Sequence, residues 1–127
     1  AVRPFVTQRI INENISIAKE YGSAGTTNIT NDTIVISEDG VTISEIPPKR
    51  KMYSEQTPLT FNLNLLDEIF KYADQNGIKL ESETELARLY INKGYYIHMV
   101  RGDNSNMKII TPYDLEVANA LLVERKL

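Results

Sequence analysis

The stretch KGYYIHMVRGDNSNMKIITP, residues 93–112, gathers the side chains best able to do chemistry: the single histidine, two adjacent tyrosines and an Arg101-Gly102-Asp103 tripeptide. A histidine acting as general base needs an orienting partner and a nucleophile or substrate proton within reach. No G-x-S-x-G motif supplies a nucleophile, and no carboxylate flanks His98 at metal-ligand spacing. Strand alternation puts Tyr96, His98 and Val100 on one face, so His98 is expected to be a half-buried strand residue. An exposed Arg-Gly-Asp can offer a cation and a carboxylate at fixed spacing to a receptor. Here the whole of RGDNSN consists of turn formers. The expectation is a solvent-facing hairpin loop, with residues 95–100 and 107–111 paired antiparallel around it.

Paired carboxylates could do acid–base work. Asp67 with Glu68, Glu83 with Glu85, and Asp114 with Glu116 are the candidates. Each pair falls in the first turn or so of an expected helix, where the helix dipole favours negative charge. That one structural rule accounts for all three. Lys49-Arg50-Lys51 is the densest basic run. With Arg88, Lys93 and Arg101 it would make the phosphate contacts of a nucleic-acid-binding protein. Tyr90, Tyr95 and Tyr96 could stack bases, although packing is the commoner task of such rings. The Gly22–Gly25 stretch follows a helix rather than leading into one, so it reads as a helix stop and not a phosphate cradle.

The elements that must position these residues are legible from periodicity and punctuation. Apolar residues at Val6, Ile10, Ile11, Ile15, Ala18 and Tyr21 indicate a first helix, with Thr7 as its cap. Two β-rich runs around Asp39-Gly40 indicate a hairpin, ended by Pro47-Pro48. Asn64 is placed to cap a helix over 65–75, Ser82 a helix over 83–92, and Thr111-Pro112 opens the last helix. Residues 78–80 could form a short strand. The expected fold is α+β: an N-terminal helix and β-hairpin arm (1–46), a Pro-bounded linker (47–58), and a compact helix–strand–helix–hairpin–helix body (59–127).

Composition narrows the function. The chain has 127 residues, 42% hydrophobic and 24% charged, with net charge −3. No global field draws it to nucleic acid or anionic lipid. Its apolar runs are too short to cross a membrane, and the first ten residues lack the apolar segment of a secretory leader. With no cysteine, disulfides, thiolate catalysis and cysteine-ligated metals are excluded. No motif calls for a cofactor or metal, so none is expected, nor is an enzyme. The last helix is apolar at Leu115, Ala118, Leu121 and Leu122, more widely than one core contact needs. The N-terminal segment carries Ile10, Ile34 and Ile36 in an otherwise polar context. These seven residues are the expected interface with other protein chains, in a homo- or hetero-oligomer. The resulting expectation is a non-enzymatic structural or interaction subunit, cytoplasmic or in a phage or viral particle. The alternative is a small winged-helix-like DNA-binding regulator. Glu83 and Glu85 at the start of its would-be recognition helix argue against it.

Overall fold

The computed structural model describes residues 2–125, and four α-helices flank a three-stranded sheet within them. Helix α1, Gln8–Tyr21, starts where the Thr7 hydroxyl accepts the amide of Ile10, the cap expected. Ile10, Asn14 and Ala18, one turn apart, form its buried face. Gly22 ends it at φ +91°, donating its N–H to Ala18 O. A Cβ there would lie 2.8 Å from Leu65 Cδ1, so both conformation and space require glycine.

Strand β1, Ser23–Ile29, follows at once. Its sequence, SAGTTNI, has few β-formers, and only the helix stop is legible there. It is a strand because two partners hold it. Strand β2, Tyr53–Phe61, pairs antiparallel on one side, from Ser23 opposite Phe61 to Ile29 opposite Tyr53. Strand β3, His98–Arg101, pairs parallel on the other, from Ala24 opposite His98 to Thr27 opposite Arg101. Residues 53–58, read from sequence as part of an irregular linker, thus lie in β2. The Pro-bounded segment keeps only a short 3₁₀ turn, Lys49–Lys51. Ala18 packs with Ala24 and Val100 as α1 covers one face of the sheet.

Helix α2, Leu63–Gln75, is capped by Asn62, whose Oδ1 accepts from Asn64 N at 3.0 Å and Leu65 N at 3.3 Å. The cap lies two residues before the expected Asn64. The reason is tertiary: Asn62 N donates to Gly22 O at 2.7 Å, fixing the chain where β2 ends. Helix α3, Glu83–Asn92, is capped by Ser82 as expected. Its Tyr90 is buried and meets the Phe61 ring edge-on, with centroids 4.9 Å apart. Helix α4, Pro112–Arg125, opens at Thr111, whose hydroxyl accepts from Asp114 N. Ala118 is its buried contact.

The mixed α+β class stands, but three expected β features change. The 34–46 hairpin keeps only one antiparallel bridge, Ile36 to Glu45. Its turn is organised by the Asp39 carboxylate, which accepts from Val41 N at 2.8 Å and Thr42 N at 2.7 Å. Residues 78–80 form no strand. Most consequentially, the hairpin expected around Arg101-Gly102-Asp103 does not exist. β3 takes β1 as its partner, and residues 107–111 are not a strand.

Candidate functional site

β1 and β3 run parallel, so their C-terminal ends fall at the same edge of the sheet. In open parallel sheets that edge is where ligands bind. β2 contributes an irregularity there. Gly25 faces Leu59 and Thr27 faces Glu55, so Gln56, Thr57 and Pro58 all lie opposite Thr26. This bulge cannot continue the ladder, since Pro58 has no N–H. Its carbonyl is satisfied instead by the Thr26 hydroxyl at 2.7 Å, and Thr26 in turn accepts from Asn14 Nδ2 at 2.9 Å.

The bulge aims Gln56 at the loop after β3, residues 102–106. Gln56 Nε2 donates to Asp103 O at 2.9 Å, and its Oε1 accepts from Asp103 N at 3.3 Å. A side-chain amide thereby replaces a strand partner for this loop. Gly102 N continues the β1 ladder by donating to Thr27 O at 2.7 Å. Any Cβ on Gly102 would collide with Gln56 Oε1. The Arg101-Gly102-Asp103 tripeptide is therefore a strand end and the start of a turn, with Gly102 buried and Arg101 and Asp103 exposed, and it is not a hairpin tip. The Asp103 carboxyl is held below the usual carboxylate range, chiefly by the Ser105 hydroxyl and amide, at 2.6 and 2.8 Å.

Asn106 closes the loop and is fully buried. Its Nδ2 donates to Gln56 Oε1 at 3.2 Å and to Thr57 O at 2.9 Å. Both amide protons are thus committed. Turning the amide over would set oxygen against two acceptors, so its orientation is fixed. Its Oδ1 is buried with no donor among the described residues. The main-chain oxygen of Asn106 accepts from Arg3 Nη1 at 2.6 Å, and Arg3 Nη2 reaches Glu55 O at 3.4 Å. Burial lowers the Arg3 pKa, partly offset by the Glu55 charge; a guanidinium remains cationic at neutral pH.

Two more guanidiniums close on the same loop. Arg9 Nη1 donates to Arg101 O at 3.1 Å, and Arg125 Nη2 donates to Ser105 Oγ at 2.5 Å. Ile109 N donates to Val2 O at 2.8 Å, so the segment carrying Lys108 lies against the one carrying Arg3. Lys108 is exposed and forms no salt bridge among the described residues. Three guanidiniums thus approach this loop, with the Asp103 carboxylate among them and Arg9 also paired with Glu13 at 3.0 Å; guanidinium and ammonium groups so placed are chemically suited to an anion such as a phosphate. Among the described residues no group of three His, Cys, Asp or Glu is placed to hold a metal ion.

Of the sequence-derived candidates, few meet here. Ile10 and Ala118 are 0% and 3% exposed, packed inside this chain, so they correct that part of the expected interface. Leu121 is half-buried, whereas Leu115, Leu122, Ile34 and Ile36 are exposed. The six basic candidates scatter: Lys49, Arg50 and Lys51 on the 3₁₀ turn, Arg88 on α3, Lys93 beyond it over the Tyr72 ring, and Arg101 ending β3. His98 is half-buried in a strand as expected, stacked on Tyr21 at 4.0 Å between ring centroids. The carboxylate pairs at 83/85 and 114/116 lie in the first turn or so of helices as expected, whereas Asp67 and Glu68 do not, because α2 begins at Leu63 and has no acidic residue in its first turn. Arg3, Gln56, Asn106 and Lys108, which gather around the loop after β3, are not among the residues the sequence singles out. Their only local signal is the density of turn formers around Asn106, which reads as an ordinary loop.

Residues 1–124 match the family model described as IspD, 2-C-methyl-D-erythritol 4-phosphate cytidylyltransferase. The fold is similar to that of the 2-C-methyl-D-erythritol 4-phosphate cytidylyltransferase of Thermus thermophilus. The TM-score is 0.79 and the identity 30%, covering 94% of this chain and 57% of that one. It is also similar to the 4-diphosphocytidyl-2C-methyl-D-erythritol synthase of Anaerococcus prevotii. There the TM-score is 0.80 and the identity 26%, covering 95% of this chain and 55% of that one. The chain thus spans little more than half the length of these relatives. The match overturns the expectation of a non-enzymatic assembly subunit or viral particle protein, and equally that of a DNA-binding regulator. An absence of catalytic motifs is weak evidence when a site is assembled from residues far apart in sequence. The family is one of enzymes, and this chain belongs to it: the IspD, or 2-C-methyl-D-erythritol 4-phosphate cytidylyltransferase, family.

Proposed function

We propose that the protein binds the acceptor phosphate in a cytidylyl transfer. The acceptor is a small polyol phosphate, for which 2-C-methyl-D-erythritol 4-phosphate, the compound in the relatives' names, is the model. In such a transfer an acceptor phosphate oxygen attacks the α-phosphorus of cytidine triphosphate. A new phosphorus–oxygen bond forms, the bond to the β-phosphate breaks, and pyrophosphate leaves. Two anions must be brought together, so the protein has to supply fixed positive charge where the acceptor sits. The observation that carries the reading is the Arg3 guanidinium, pinned by Asn106 O and Glu55 O at the strand ends. Lys108 stands on the adjoining segment. Arg3 gives a planar, directional contact and Lys108 a mobile point charge.

The test is calorimetric titration of the chain with 2-C-methyl-D-erythritol 4-phosphate. Binding that weakens about tenfold in Arg3→Ala and in Lys108→Ala, one lost charged contact each, supports the reading. An unaltered affinity in both variants, or no binding by the wild type, refutes it.

A second reading concerns partners. The 34–46 arm exposes Ile34, Ile36, Val41, Ile43 and Ile46, with Val41 87% exposed. We infer that this apolar arm pairs with a second copy of the chain, joined by the exposed Leu115 and Leu122 of α4. Among the described residues no helix is long and apolar enough to cross a membrane. A nucleotide-using reaction fits a cytoplasmic location.

A further inference from the structure

The geometry points to the Asn106 side chain as a positioning residue: it fixes its own main-chain oxygen as the peg that aims Arg3. The inference rests on the reading of Arg3 as an acceptor-phosphate ligand. Four observations carry it. Asn106 is 0% exposed, so its amide contacts no ligand directly. Its two amide protons tie it to Gln56 Oε1 and to Thr57 O, both in the β2 bulge. Its main-chain oxygen receives the short 2.6 Å bond from Arg3. Its Oδ1 is buried with no donor among the described residues. The arrangement commits both amide donors to the β2 bulge.

The consequence is directional. Without the two donors, residue 106 keeps only its N–H bond to Asp103 O at 3.0 Å, and the carbonyl that holds Arg3 is less firmly fixed. Lys108 lies two residues further along the same segment and is less firmly held too. A cation displaced by an ångström still gives a folded protein, but it no longer meets its anion in a fixed geometry. Gln56 belongs to the same device, since its Oε1 holds both Asp103 N and the Asn106 amide.

Asn106→Ala tests this against Ser23→Ala. Ser23 is equally buried and donates to Tyr96 O at 2.9 Å, at the opposite end of β1. Two quantities are read: the Kd for 2-C-methyl-D-erythritol 4-phosphate, and the guanidinium proton–nitrogen NMR signals of Arg3, assigned by their loss in Arg3→Lys. Asn106→Ala should raise Kd about tenfold and average the Arg3 signals, while amide dispersion shows a folded chain. Ser23→Ala should lower the melting midpoint and leave both readings unchanged. If Asn106→Ala does not fold, Gln56→Leu, which keeps volume and removes the acceptor, is read on the same two axes. The inference is overturned if the folded variant binds as the wild type does with Arg3 signals intact, or if Ser23→Ala weakens binding equally. Wild-type binding that depends on Arg3 but not on Asn106 sinks this inference alone. Binding that ignores Arg3, or no binding, sinks the acceptor-site reading and this inference with it.

Discussion

Arg3 Nη1 and the main-chain oxygen of Asn106 lie 2.6 Å apart although 103 positions separate them in sequence. The bond ties the first described turn of the chain to the loop beyond β3. Arg3→Lys keeps the charge and loses the fork that also reaches Glu55 O. We expect such a variant to remain folded and to bind the acceptor phosphate several-fold more weakly, and Arg3→Ala more weakly still. Titration calorimetry of the three proteins checks the order. Equal affinities for wild type and Arg3→Lys would show that charge alone matters.

Gly102 has no room for a side chain, because a Cβ would collide with Gln56 Oε1. Gly102→Ala must therefore move Gln56 or the backbone. The expected loss is about 1–3 kcal/mol, the usual cost of forcing extra volume into a packed site. Urea unfolding measures it. A neutral result would mean that Gln56 has another rotamer open to it, and that its bonds to Asp103 and Asn106 are dispensable.

Ser82 and Thr111 cap α3 and α4, accepting from Glu85 N and Asp114 N, each at 3.3 Å. Ser82→Ala and Thr111→Ala should each cost about 0.5–2 kcal/mol. The Thr111 cap is reinforced: Asp114 Oδ2 accepts from Ile110 N and Thr111 N. Its loss should therefore be smaller in the wild type than in an Asp114→Asn background. Denaturation midpoints of the single and double variants decide this.

Acid should loosen the loop after β3. The Asp103 carboxyl is held below its ordinary range by the Ser105 bonds, with a smaller contribution from Arg125 and Arg9. A carboxylate depressed on folding contributes stability that is fully present above its unfolded value, about 4. That stability is lost as pH falls through the folded value. The wild type should therefore lose thermal stability below about pH 4 more steeply than Asp103→Asn, whose curve lacks this contribution. Parallel curves would mean the Ser105 bonds contribute nothing to folding.

The arm and the core should respond oppositely to charge. Val41 and Ile43 are exposed on the arm, while Ile10 is wholly buried in α1. Val41→Asp or Ile43→Asp should leave circular dichroism unchanged and convert the protein to monomer in sedimentation. Leu122→Asp on α4 should do the same. Ile10→Asp should unfold the chain, since an unpaired buried charge cannot be satisfied there. A wild type already monomeric at high concentration removes the self-association reading.

The sequence by itself determined what local rules control. Thr7, Ser82 and Thr111 cap helices because a hydroxyl before an amphipathic run needs only its own next turn. Gly22 stops α1 for the same kind of reason. The mixed α+β class and the half-buried state of His98 follow from periodicity. Tertiary structure decided the rest. SAGTTNI becomes the central strand only because β2 and β3 pair on its two sides, and a parallel pairing has no turn to announce it. The 107–111 segment leaves the sheet because Gln56 takes the loop's hydrogen bonds and Val2 takes the amide of Ile109. Asn62 displaces Asn64 as a cap through its bond to Gly22. The proposed site draws on Arg3, Gln56 and Asn106 together, and no spacing rule links residues that distant. Turn formers such as Asn106 look alike in sequence whether they face water or hold a cation in place; only burial and hydrogen-bond partners separate the two.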